Sequence, residues 1–137
     1  MEFIPYLAFD GNCREAFELY GKVFKGQIVA MIKNSDTPMA AQLPNPDAIM
    51  HARLVIGSAQ LMGGDAPPGT YKKPTSPCIN IQVSSAEEAE RIFAELSPGA
   101  TIVMPMAQTF FALRFGMLTD KYGTPWMINC ENRGMQG

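Results

Sequence analysis

Histidine and tryptophan each occur only once in the 137 residues, as His51 and Trp126. One imidazole cannot by itself build the nitrogen-rich ligand sets of most catalytic metals. The three cysteines, Cys13, Cys78 and Cys130, are an odd number with no short pair spacing. Neither a disulfide framework nor a Cys-x-x-Cys zinc or redox motif is expected, and reduced thiols are. Lys and Arg never cluster beyond the pair Lys72–Lys73, and the formal net charge is −2. A nucleic-acid partner therefore lacks its electrostatic footprint. No apolar run approaches the roughly 20 residues of a membrane helix. Met1–Phe9 offers no basic leader before its apolar stretch, so no membrane association and a cytoplasmic location are expected.

Apolar material is plentiful, at 47% of residues against 18% charged. Residues 1–137 are expected to form one soluble domain. Methionine occurs ten times. It fills irregular gaps, so these residues suit either an adaptable apolar pocket or an ordinary core.

The chain contains a duplication. Ile4–Phe9 reads as a strand and is followed by a helix start in which Asn12 can cap and Glu15 can reach back to it. Cys78–Val83 reads as a second strand, followed by Ser85 and Glu88 in the same relation. Ser85 minus Asn12, Glu88 minus Glu15 and Phe93 minus Tyr20 all equal 73. Ala16, Leu19, Tyr20 and Val23 lie at helical spacing in the first helix, as do Ala89, Ile92, Phe93 and Leu96 in the second. The strand candidates that follow are Gln27–Ile32, Ile49–Ile56 and Gln60–Gly63 in the first half. Those in the second are Ala100–Met104, Phe110–Leu118 and Pro125–Cys130. Polar or Pro-rich connections fill Asn34–Asp47 and Pro105–Gln108, Thr119–Gly123 reads as a turn, and Asn132–Gly137 reads as a frayed tail. Each half is strand, helix, strand, strand, strand. The modules, about 1–66 and 75–131, are joined by a Gly/Pro-rich loop.

This pattern resembles the vicinal oxygen chelate superfamily of glyoxalase I, bleomycin-resistance proteins and extradiol dioxygenases, and more narrowly its PhnB-like branch. The resemblance rests on Tyr6-Leu7-Ala8-Phe9 with Gly11-Asn12-Cys13 and Glu15-Ala16, on Leu61-Met62 followed by Asp65, and on Asp120-Lys121-Tyr122-Gly123 leading into Trp126-Met127-Ile128-Asn129. It implies an α+β fold of two tandem βαβββ modules whose sheets curl around a cleft. Lys25 departs from the glycine usual at the end of the first helix, which should alter the turn and not the fold.

In metal-using members the first and last strands of each module each supply one ligand. Carried over residue by residue, those positions are Pro5, Leu61, Cys78 and Met127. Pro, Leu and Met supply neither imidazole nor carboxylate, so no family-type metal site and no cofactor is expected, and with them no glyoxalase or dioxygenase chemistry. PhnB-like proteins often carry a demethylubiquinone methyltransferase label. No Gly-rich turn between a strand and a helix offers the nucleotide site that would support it.

Three side chains could carry acid, base or nucleophilic chemistry. His51 can be a general base or simply a hydrogen-bonded strand-end residue. Asp65 can fix a ligand's polar group or cap a turn. Cys78 can be a nucleophile, although no basic neighbour is recognisable, or a small buried apolar residue. For ligand contact the candidates are Trp126, Met62, Phe110, Asn80 and Met127. Adjacent strand residues point to opposite faces, so only one of Phe110 and Phe111 can face a cleft. Asn80 and Asn129 are amides in otherwise apolar strands, and each needs a hydrogen-bond partner. The leading expectation is a metal-free, homodimeric binder of a small apolar or aromatic molecule, of the bleomycin-resistance type. The alternative is an enzyme of the superfamily using side-chain acid–base chemistry or a non-standard metal site.

Overall fold

Cys13, Ala16, Phe17, Tyr20 and Val23 recur every three or four residues and are all buried, which makes Cys13–Val23 the amphipathic helix α1. In the computed structural model, which describes residues 1–75 and 78–131, α1 follows the strand β1 (Tyr6–Phe9). It precedes β2 (Gln27–Lys33), two short 3-10 turns, β3 (Ile49–Ile56) and β4 (Ala59–Asp65). The second half repeats the order with β5 (Ile79–Val83), α2 (Ala86–Leu96), β6 (Thr101–Ala107), β7 (Ala112–Thr119) and β8 (Pro125–Glu131). The chain divides into two units at Lys72/Lys73. Each unit has one four-stranded sheet, ordered β1-β4-β3-β2 in the first and β5-β8-β7-β6 in the second. The first strand runs parallel to the last and the remaining pairs are antiparallel. This is the expected α+β arrangement of two βαβββ modules. Among the described residues no helix is long and apolar enough to cross a membrane. The expected frayed tail lies outside the described residues.

Each unit has its own core under its helix. Phe9, Phe17 and Tyr20 are fully buried, with ring centroids 6.0 Å (Phe9–Phe17) and 6.5 Å (Phe9–Tyr20) apart. Burying one such ring contributes about 2–3 kcal/mol. In both sheets a glycine admits a helix aromatic ring. A Cβ on Gly63 of β4 would stand 2.9 Å from the Phe17 ring, and one on Gly116 of β7 would stand 2.9 Å from the Phe93 ring.

Several expectations need correction. Asn12 does not cap α1: its side chain makes no cap hydrogen bond, and its Oδ1 is buried without a partner among the described residues. Asp65 supplies the acceptor instead, 52 residues along the chain, where its Oδ1 takes the Cys13 N–H at 3.0 Å. β4 continues through Gly64 and Asp65, because the two glycines leave room for neighbouring rings and do not signal a loop. β6 runs through Pro105, which an edge strand tolerates since one side of its ladder is unpaired. Phe110 and Phe111 precede β7 and pack edge to face at 5.3 Å, so strand alternation does not sort them. Finally, the offset of 73 holds for the helices and not for the strands before them. Three residues separate Phe9 from Cys13, and two separate Val83 from Ala86.

Candidate functional site

Strand residues alternate between the face under the helix and the face turned away from it. In the second unit Gly116 lies against Phe93 of α2, and it pairs with Ile128, which pairs with Ile81. That row faces the helix. The rows on either side of it face away. One is Gln82, Asn129, Phe115 and Ala107; the other is Asn80, Met127, Met117 and Met104. Phe111 extends the first row's aromatic surface by standing edge-on to Phe115 at 5.2 Å.

At the β5–β8 end of this face three amides meet. The Asn80 Nδ2 donates to Gln82 Oε1 at 3.2 Å, and Asn129 Nδ2 donates to the same oxygen at 3.1 Å. Asn129 is only 9% exposed, and its Oδ1 finds no hydrogen-bond partner among the described residues. Asn80 and Gln82 are exposed.

The corresponding face of the first unit is built differently. Gly63 meets Phe17 of α1, so Leu7, Gly63 and Ala52 face the helix. Turned away are the row Tyr6, Met62, Arg53, Ala30 and the pairs Ala8–Gly64 and His51–Ile32. Because Gly64 has no side chain, the Tyr6 hydroxyl lies over it, and the Tyr6 ring stacks on His51 with centroids 6.2 Å apart. Burial, and then the nearby Cys13 thiol, raises the Tyr6 phenol pKa. The Arg53 Nε is buried with no partner among the described residues.

The candidate residues thus fall into separate places. Met62 and His51 share the first unit's outward face, and Asn80 and Met127 share the second's. Phe110 is 80% exposed in the segment before β7. Trp126 is not brought to either face. It is 1% exposed in the helix-facing row with Ile79 and Leu118, and its Nε1 donates to Asp120 Oδ2 at 2.8 Å. Asp65 is a tie: besides Cys13, its Oδ2 accepts the Ile49 N–H at 2.8 Å. Next to it, burial pushes the Cys13 thiol up to about 12, with the Asp65 charge adding to the rise. Cys78 stands one residue before β5 and is half-buried.

The strand faces also revise the inferred metal positions. Leu61 pairs with Leu54 under α1, and the outward residue of β4 is Met62. Pro5 precedes β1, where its carbonyl accepts the Met62 N–H at 3.0 Å. The outward pairs of first and last strand next to the inferred positions are Tyr6 with Met62 and Asn80 with Met127. None of the four carries the carboxylate or imidazole that supplies most ligands of a catalytic divalent cation. Among the described residues no three His, Cys, Asp or Glu side chains are grouped to hold one.

Residues 1–129 match a protein family described as 3-demethylubiquinone-9 3-methyltransferase. The chain belongs to this family. It is 33% identical to Protein YjdN of Escherichia coli over 139 aligned positions, covering 94% of this chain and 95% of that one. The crystal structure of protein PA1353 from Pseudomonas aeruginosa is 44% identical and superposes with a TM-score of 0.89, covering 96% of this chain and 98% of that one. A PhnB protein from Bacillus cereus, titled a putative 3-demethylubiquinone-9 3-methyltransferase, shares the fold at 22% identity with a TM-score of 0.81, over 95% of this chain and 99% of that one.

Sequence reasoning about this chain missed Gln82, Phe115, Met117, Tyr6 and Arg53. Gln82 carried a usable signal, since it lies two residues after Asn80 and so shares its strand face. Phe115 and Met117 enter only through cross-strand register, which one strand's sequence does not specify.

Proposed function

We propose that this protein is a metal-free binder of small apolar or aromatic molecules, of the bleomycin-resistance type, and that the molecule lies on the outward face of the second unit's sheet. The observation that carries this reading is the pair of rows holding Met127, Met117, Met104 and Phe115 beside the three amides. Soft apolar side chains with a few placed polar groups are the ordinary composition of a small-molecule site. The donor set at the family's ligand positions supports chemistry without a resident cation. The methyl transfer in the family's description would need a cradle for a methyl donor, yet the β1–α1 turn has one glycine, Gly11, and the β5–α2 turn has none. We further propose, by analogy with bleomycin-resistance proteins, that the chain is a cytoplasmic homodimer. Sedimentation equilibrium checks that stoichiometry.

Methyl-labelled methionine serves as the reporter, in protein first stripped with a chelator. Screening small aromatic compounds by NMR should give saturable shifts at the Met117 and Met127 methyls without added metal. Binding that appears only after a divalent cation is restored would overturn the reading. A second reading, an acid–base enzyme, is favoured by His51 stacked on Tyr6 in the first unit. It requires turnover that His51→Ala abolishes while the fold is kept. Asp65 is not suited to that role, because both of its oxygens already accept backbone N–H groups.

A further inference from the structure

Arg53 lies in the middle of the first unit's outward row, between Met62 of β4 and Ala30 of β2. Its side chain is half-buried, and the two edges of the guanidinium differ. The Nε is buried and has no acceptor among the described residues. The two Nη groups bond to no described residue either, yet neither is buried, so they face solvent. Arg91 and Arg114, by contrast, each have a glutamate partner. A guanidinium is always charged, and burial of one edge strips part of its hydration without supplying a counter-charge. Its attraction for an anion at the open edge is strengthened accordingly.

The surrounding strand positions hold no such anion. His51, Val55, Gln60, Met62, Gly64 and Ala30 border Arg53 on this face, and none is acidic. The Glu2 carboxylate accepts from Gln60 Nε2 at 3.3 Å and makes no ion pair with Arg53. What adjoins the open edge is apolar and aromatic: Met62 comes next in the row, then Tyr6, 57% exposed with its ring stacked on His51.

We propose that Arg53 anchors a separate binding site, on the first unit, for small aromatic carboxylates. The carboxylate accepts one N–H from each Nη, end-on because Nε is covered, and the aromatic body lies over Met62 and Tyr6. The charge of this ligand distinguishes it from the apolar molecule assigned to the second unit, and the two sites stand or fall separately.

Methyl-labelled methionine again serves, with Met62 reporting on this site and Met117 and Met127 on the other. 2-Naphthoate, methyl 2-naphthoate and inorganic phosphate are titrated, with calorimetry giving the affinities. 2-Naphthoate should move the Met62 methyl saturably and bind about tenfold more tightly than its ester, the worth of a charge-assisted pair. Arg53→Lys keeps the charge and loses the fork, and should bind 2-naphthoate about tenfold more weakly than the wild type. Arg53→Met should bind acid and ester alike; if it does not fold, Arg53→Lys and the wild-type comparison decide. Equal wild-type affinity for acid and ester, or an unmoved Met62 methyl, overturns the proposal. Phosphate binding as tightly as 2-naphthoate overturns the carboxylate class. Shifts confined to Met117 and Met127 sink this site and favour the second unit's, and shifts confined to Met62 do the reverse.

Discussion

The two units share a strand order and a helix length and differ in how the helix is tied to the sheet. In the first unit a carboxylate on the last strand, Asp65, reaches both the first N–H of α1 and the start of β3. In the second unit α2 is capped locally, Ser85 Oγ accepting the Glu88 N–H at 3.1 Å. The buried carboxylate there, Asp120, instead organises the β7–β8 turn, accepting from the Tyr122 N–H, the Thr124 N–H and the Trp126 indole. The backbone demand is the same in both copies, because a helix N-terminus leaves unpaired N–H groups. Duplication has kept the demand and let the residue that meets it move.

The largest effect should come from breaking the long-range tie. Asp65→Ala strips an acceptor from two backbone N–H groups and should lower stability by about 3 kcal/mol in urea unfolding. Ser85→Ala should lower it by only about 1 kcal/mol. Equal losses would mean that the two helices are anchored alike. Next come the glycines under the aromatic rings. A Cβ on Gly63 would stand 2.7 Å from the Leu7 carbonyl oxygen, which cannot easily move, whereas the closest atom to one on Gly116 is the flexible Met106 Sδ at 2.5 Å. Gly63→Ala should therefore cost about 2 kcal/mol and Gly116→Ala about 1, measured by the same transitions.

A smaller gain should come from Lys25, which ends α1 at φ 55°, a left-handed conformation. Lys25→Gly should raise the urea midpoint by roughly 0.5–1 kcal/mol of stability. After α2 the left-handed position is already a glycine, Gly99 at φ 75°, and the cap Ser97 is right-handed, so Ser97→Gly should give no gain. Near neutral pH the smallest effect belongs to Cys13. Its thiol titrates near 12 in the fold against an ordinary 9.0, so the neutral form is the one the fold prefers. Stability is then unaffected below about pH 9 and falls as pH rises towards 12, because the unfolded chain releases that proton first. Cys13→Ala should flatten this decline in alkaline urea titrations.

Much of this architecture was legible in the residues. The helices announced themselves through spacing such as Ala89, Ile92, Phe93 and Leu96, and the repeat was visible as a constant difference. What escaped depended on partners distant in sequence. Asn12 has the right type for a cap, yet Asp65 wins because β4 brings its carboxylate to the same N–H. Gly63-Gly64 looked like a loop because the rings of Phe17 and Tyr6 that need that space lie more than 40 residues away. The shift from Leu61 to Met62 reverses a strand face through a single residue, the kind of slip that period-two alternation punishes most. At the site, Asn80 and Met127 were readable because they interrupt or soften apolar strands. Gln82 and Phe115 became visible only once the strands were paired.

The seal that Asp120 places on the indole of Trp126 has a practical reach. The chain's sole tryptophan belongs to the second unit, whereas three of its four tyrosines, Tyr6, Tyr20 and Tyr71, belong to the first. Indole emission during melting is therefore a thermometer for one half of the duplication, and far-ultraviolet dichroism averages both. Coincident traces would mark one cooperative melt; a split would show that each copy still keeps its own clock.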